Sequence, residues 1–139
     1  KVSTVMFDLP GMPANEPQSL AQRNLLRHLT FKVPSGQRVA AAMGIPALLE
    51  NDLADLKPFN LHNRTPLWFY VLREADVKAD AKRLGPVGGR IVGEVMIGLL
   101  QGDNTSYLSQ DPDWTPHLGS NGNFTMVDLL KFAGVVTTL

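Results

Sequence analysis

Proline and glycine cut this chain into short pieces, and that punctuation limits what it can fold into. Pro34-Ser35-Gly36, Lys57-Pro58, Thr65-Pro66, Gly85-Pro86, Asp111-Pro112 and Thr115-Pro116 separate apolar runs, several of helical period. Proline lacks the amide hydrogen that a helix interior or a sheet ladder requires, so each of these points ends or starts an element. Glu16-Pro17 opens a helix running to about Leu29, with Leu20, Leu25, Leu26 and Leu29 as its apolar stripe. Ser35 caps a short alanine-rich helix from Gln37 to Met43, and Gly44 stops it. Pro46 to Leu56 is a further short helix. Thr65 as cap and Pro66 in the first turn start an apolar helix through Leu72, with Arg73 to Lys82 as its solvated end. The most apolar helix spans Val87 to Gln101, and Thr125 with Asp128 has capping-box spacing for a last one to about Ala133. Thr105 to Gly122 is irregular, and Val2 to Pro10 is a short strand or an extended arm. The expected fold is all-α: about five to seven helices with an extended N-terminal arm, over 1–139 as one unit without internal boundary.

The 139 residues suffice for one core. Net charge is zero and no block of like charges stands out, which argues against a protein that binds nucleic acid by neutralising phosphates. There is no cysteine, so disulfides, thiolate catalysis and zinc–thiolate sites are excluded; this fits a reducing compartment. The longest apolar run, Ile91 to Leu100, is broken by Glu94 and is too short to span a bilayer. The first residue is Lys1 rather than methionine, from which a cleaved or trimmed product is expected.

Asn24 and Arg27 carry most of the functional argument. Three apart on one helix, they present an amide and a guanidinium from the same face. The ordinary alternative is a pair of surface polar groups on an amphipathic helix. His28, His62 and His117 are too far apart in sequence for a local metal motif, and they read as structural; His28 is expected to point away from the Arg27 face. Glu94, alone in an apolar helix, is either a buried carboxylate or an exposed partner of Arg90 one turn away, and the second is the ordinary reading. Gly85-Pro86-Val87-Gly88-Gly89 lacks the spacing of a dinucleotide fingerprint and reads as a helix start packed against a neighbour. Trp68, Phe69 and Tyr70 read as core.

Asn24-Leu25-Leu26-Arg27 followed by Val33-Pro34-Ser35-Gly36-Gln37 resembles the haem peroxidases of the animal (peroxidase–cyclooxygenase) superfamily, above all their bacterial relatives. The similarity continues through Thr65-Pro66-Leu67-Trp68-Phe69-Tyr70, Arg83-Leu84-Gly85-Pro86-Val87-Gly88-Gly89-Arg90, Phe124-Thr125-Met126 and Leu129-Leu130. It covers most of residues 9–134, in order and at similar spacing. The resemblance implies that Asn24 holds a proximal histidine's second ring nitrogen and that Arg27 pairs with a haem propionate. The family's distal histidine, catalytic arginine, calcium loop and proximal histidine all precede the matched region. His28-Leu29-Thr30 stands where animal members carry Asp-His-Gly, so no axial role passes to His28.

On this reading the chain is the C-terminal part of a haem peroxidase domain, inactive alone. Haem is the implied cofactor, its axial ligand supplied from outside the chain. The intact protein would be an oxidoreductase that uses hydrogen peroxide to oxidise a donor or halide, or would dioxygenate lipid. The implied partner is the missing N-terminal catalytic portion or a second chain, with homo-association open. The rival readings are a non-enzymatic helical binding or structural module that kept this fold, and an unrelated helical interaction domain. A segment built to pack against a missing half should expose apolar surface, on the Trp68 or the Met96 helix.

Overall fold

The computed structural model describes residues 6–136. Among the described residues it is all-α, built from α1 Leu20–Thr30, α2 Gly36–Ala42, the 3-10 helix Glu50–Phe59, α3 Leu67–Ala79, α4 Pro86–Gly102, α5 Tyr107–Gln110 and α6 Met126–Phe132. Among the described residues there is no strand, only an isolated bridge between Ser120 and Asn123. The N-terminal arm expected at Val2–Pro10 lies outside the described residues up to position 5; Phe7 to Pro10 is turn, bend and coil, with the Leu9 amide donating to the Gln18 carbonyl at 3.1 Å.

The chain divides into two units, residues 1–94 and residues 95–139, the boundary falling within α4. In the first unit α3 is the centre, with α1, α2 and the 3-10 helix packed on it. Its core is Ala40, Leu48, Leu53, Tyr70 and Val87, flanked by half-buried Met43, Leu56, Leu67 and Ile91. Tyr70 is fully buried, and its hydroxyl accepts from the Leu48 amide at 2.9 Å, so the ring packs apolar while its oxygen is satisfied. A side chain at position 36 would overlap the Tyr70 ring, which is why the residue after the Ser35 cap is glycine.

The caps fall where local chemistry places them. Ser35 accepts from the Arg38 amide at the start of α2, and Gly44 takes φ +66 just beyond its end. Thr65 differs from expectation. Pro66, not Thr65, is the N-cap of α3, and Thr65 is buried. Its amide donates to the Gln37 side chain at 2.9 Å, its hydroxyl accepts from that same side chain at 2.9 Å, and its carbonyl accepts from the Gly36 amide at 2.9 Å. Gln37 thus ties the start of α2 to the start of α3. The expected helix from Pro46 is a 3-10 helix beginning only at Glu50, with non-helical backbone at Leu53 and Pro58 inside it.

In the second unit, residues 103–125 are loop apart from α5, a single turn that the Pro- and Gly-rich sequence does not announce. Tyr107 packs edge-on against Trp114 with ring centroids 5.5 Å apart. Asn121 and Gly122 both have positive φ, making the tight turn that closes the Ser120–Asn123 bridge. Thr125 and Asp128 form the capping box at the start of α6.

Candidate functional site

Asn24 and Arg27 leave the same face of α1, and there they bond to each other: the Arg27 guanidinium donates to the Asn24 side-chain oxygen. Both line an apolar pocket of about 330 Å³ in the first unit, walled by Leu67, Trp68 and Val71 of α3 and by Ile91 of α4. Asn24 is half-buried and Arg27 exposed. His28 belongs to the same wall, against the expectation that it points elsewhere. Residues 27 and 28 are a hundred degrees apart on a helix, and a pocket this wide reaches both. The His28 Nδ1 is buried without a hydrogen-bond partner among the described residues.

A larger apolar groove of about 780 Å³ lies beside it, also in the first unit. Met6, Leu20 and Leu25 meet Trp68, Phe69 and Leu72 across it, so Asn24 and Trp68 border both spaces. Arg73 sits at its rim, ion-paired with Asp55 and with Asp76 at 3.6 Å, and lies over the Phe69 ring at 5.9 Å. These contacts hold the charged groups together at the rim, one guanidinium against two carboxylates, and leave the rest of the groove apolar.

The buried charge is one the sequence reading placed in a solvated segment. Glu74 is 2% exposed in α3, and Ala75 beside it is buried, so the expectation of a solvated end from Arg73 to Lys82 is corrected. The Glu74 carboxylate accepts from the Val87 amide at 2.9 Å and the Gly88 amide at 3.1 Å, two of the unpaired donors in the first turn of α4. A side chain at Gly85 would overlap Glu74, and one at Gly88 would approach Val71 to 3.1 Å. The glycines of Gly85-Pro86-Val87-Gly88 therefore serve close packing of α4 on α3, the helix start packed on a neighbour that the sequence suggested. Glu94 is exposed and accepts from Arg90 at 2.6 Å, one turn away.

The haem expectation is corrected. Among the described residues no group of three or more His, Cys, Asp or Glu side chains could hold a metal ion. The histidines are dispersed: His28 on the α1 pocket wall, His62 in the loop before α3, and His117 beside Trp114 and Phe124 in the second unit. The Asn24 side-chain oxygen accepts from Arg27. Iron, haem, and the peroxidase and oxidoreductase chemistry attached to them find no donor set here. What remains of the site is an apolar pocket with one internally paired polar couple. No helix of the described residues is long and apolar enough to cross a membrane. No family model matches the chain, and no curated protein or solved structure is similar to it.

Proposed function

We propose that this chain is a non-enzymatic helical binding and structural module, one part of a larger helical assembly whose remainder comes from another portion of the same protein or from a second chain. One observation carries the reading. In residues 95–139 no apolar side chain is buried among the described residues, while fourteen large ones, from Val95 to Val135, are exposed. A folded monomer scatters such residues singly; a dense set of them marks a surface made to be covered. Pocket and groove chemistry agree with binding rather than catalysis. Among the described residues neither space holds a nucleophile beside a base, and of the polar groups on their walls Asn24 pairs with Arg27 and Arg73 with Asp55 and Asp76.

Hydrogen exchange on the dilute chain tests this directly. Amides of α2 and α3 should be strongly protected, and those of residues 95–136 should exchange many times faster. Strong protection of α4 beyond Val95 and of α6 in the dilute monomer would sink the proposal, because that part would then be stable without a partner.

A further inference from the structure

Residues 103–125 carry aromatic rings and carboxylates but no Lys or Arg. Trp114 and Phe124 are 45% and 40% exposed, and with Pro116, His117 and Leu118 they line a hollow of about 200 Å³ that lies wholly in the second unit. Tyr107, edge-on at 5.5 Å between centroids, sets the orientation of the Trp114 ring, and the Trp114 amide donates to the Asp111 carbonyl at 3.0 Å. The hollow is smaller than the roughly 300–1,000 Å³ of pockets that take drug-sized ligands, so it fits one compact group. Its charged surroundings are one-sided. From Val95 onward the chain has four carboxylates, Asp103, Asp111, Asp113 and Asp128, against one base, Lys131. Asp103 and Asp128 turn their oxygens to Thr105 and Thr125. Asp111 and Asp113 are exposed; Asp113 is the residue before the one that forms the indole wall, well within a screening length of about 8 Å at physiological salt. Lys131 stands in the last turn of α6, about 9 Å of helix rise beyond Thr125. In the first unit the chain supplies its own cation to an aromatic face, Arg73 over Phe69 at 5.9 Å; among the described residues Trp114 has no such partner.

The geometry points to a binding site for a small quaternary ammonium compound, of the choline type, between Trp114 and Phe124. An indole face attracts a cation more strongly than the other aromatic rings do. The methyl groups of such a ligand meet the apolar walls of Pro116 and Leu118, and its charge asks for no hydrogen-bond acceptor. A primary ammonium would bring three donors that these walls do not satisfy. A sugar would bring several hydroxyls to walls whose side-chain polar groups are the His117 ring and the Trp114 indole N–H, leaving most of them unpaired. A neutral apolar group would fit the walls but make no use of the carboxylates, which raise the local concentration of cations. The walls stand on a loop with no large side chain buried beneath it, so part of the binding energy is spent on ordering and the affinity is millimolar. The site goes beyond the module reading and does not rest on it.

Proton NMR on the full chain tests the site through the indole N–H signals of Trp68 and Trp114, told apart by Trp114→Phe. Two titrants are compared at constant ionic strength: choline, and its neutral carbon isostere, in which a tert-butyl group replaces the trimethylammonium. Choline should move the Trp114 signal saturably, with Kd in the millimolar range, and leave Trp68 in place; the isostere should bind about tenfold more weakly. Asp111→Asn combined with Asp113→Asn, both at exposed positions, should weaken choline about threefold and leave the isostere as it was. Equal affinity for choline and isostere would overturn the cation and leave a merely apolar hollow. Movement of Trp68 alongside Trp114, or no saturable shift with choline, would overturn the site. A saturable shift with glucose and none with choline would assign the walls to a sugar instead. None of these outcomes bears on the module reading, which stands or falls on amide exchange in residues 95–136.

Discussion

Residues 36–91 and residues 95–139 are built from the same materials, short helices with well-formed caps, yet only the first has an interior. Tyr70, Leu53 and Val87 are fully buried in the first, and even a charged group, Glu74, is taken inside and given amide donors. In the second, Ser106 is the buried residue among those described, and its hydroxyl donates to the Leu100 carbonyl at 2.6 Å. The difference separates two sources of order. Caps and turns fix local conformation at about 1 kcal/mol each, whereas burial of large side chains supplies the cooperative stability of a domain. The second region has the former without the latter.

The largest blow to that contrast is Tyr70→Ala. Losing a fully buried ring from the centre of the first region should cost about 4 kcal/mol, enough to unfold a marginal domain. Chemical denaturation followed by circular dichroism would measure it. Amide exchange in residues 95–136 should be unchanged, the side chains of that core all belonging to the first unit; a matching loss of protection would show that the two regions fold as one.

Glu74→Ala comes next. It strands the Val87 and Gly88 amides in a buried place and empties the volume beneath Gly85, for an expected loss of about 2–3 kcal/mol. Glu74→Gln keeps one acceptor oxygen and should lose less. Equal stability of wild type and Glu74→Ala in urea would mean that water reaches those amides and that the first region is looser than its geometry says.

Tyr70→Phe is smaller, about 1 kcal/mol, since it removes only the acceptor for the Leu48 amide. It also carries a pH signature. Burial pushes the Tyr70 phenol above its ordinary value, against the smaller opposite pull of the Leu48 amide, with Glu74 and Asp52 adding to the rise. A pKa raised on folding means that the neutral phenol is the form the fold prefers. Its contribution is therefore complete below about pH 10 and is lost as pH climbs through the native value. Alkaline titration of stability should show a fall above about pH 10 that flattens in Tyr70→Phe; an identical fall in both would assign it elsewhere.

Legibility follows the same division. Ser35, Gly44 and the Thr125–Asp128 box could be read from the sequence because each acts on its own helix end within a few residues. The Asn24–Arg27 face was legible for the same reason, being set by helical spacing alone. Glu74 was not, because its burial depends on the α4 terminus thirteen residues later, and a polar stretch reads as solvated until its partner is known. Thr65 looked like a cap because nothing local reveals that Gln37, twenty-eight residues earlier, would take its polar groups. The haem expectation failed at a different level. A shared order of short motifs implied a haem whose axial ligand comes from outside the chain, and the described residues hold no metal-binding group.

The smallest effect is the sharpest test of order without an interior. Thr125 accepts from the Asp128 amide at 3.3 Å, and the Asp128 carboxylate accepts in return from the Thr125 hydroxyl at 2.6 Å and amide at 2.9 Å. Those bonds, the hydroxyl's foremost, hold the Asp128 carboxyl below the usual carboxylate range, with Lys131 adding a little. A pKa lowered on folding stabilises the cap above the ordinary carboxylate value, and that help is lost as pH falls through the native one. Thr125→Ala should therefore lower amide protection in α6 at neutral pH by a small factor, and the acid-induced fraying of α6 expected of the wild type should shrink in the variant. The global unfolding midpoint should not move in either case, since the cap's bonds all run between Thr125 and Asp128. A shift in that midpoint would mean that the caps of 95–139 hold more than their own helix, and that the region's order reaches the core of residues 36–91.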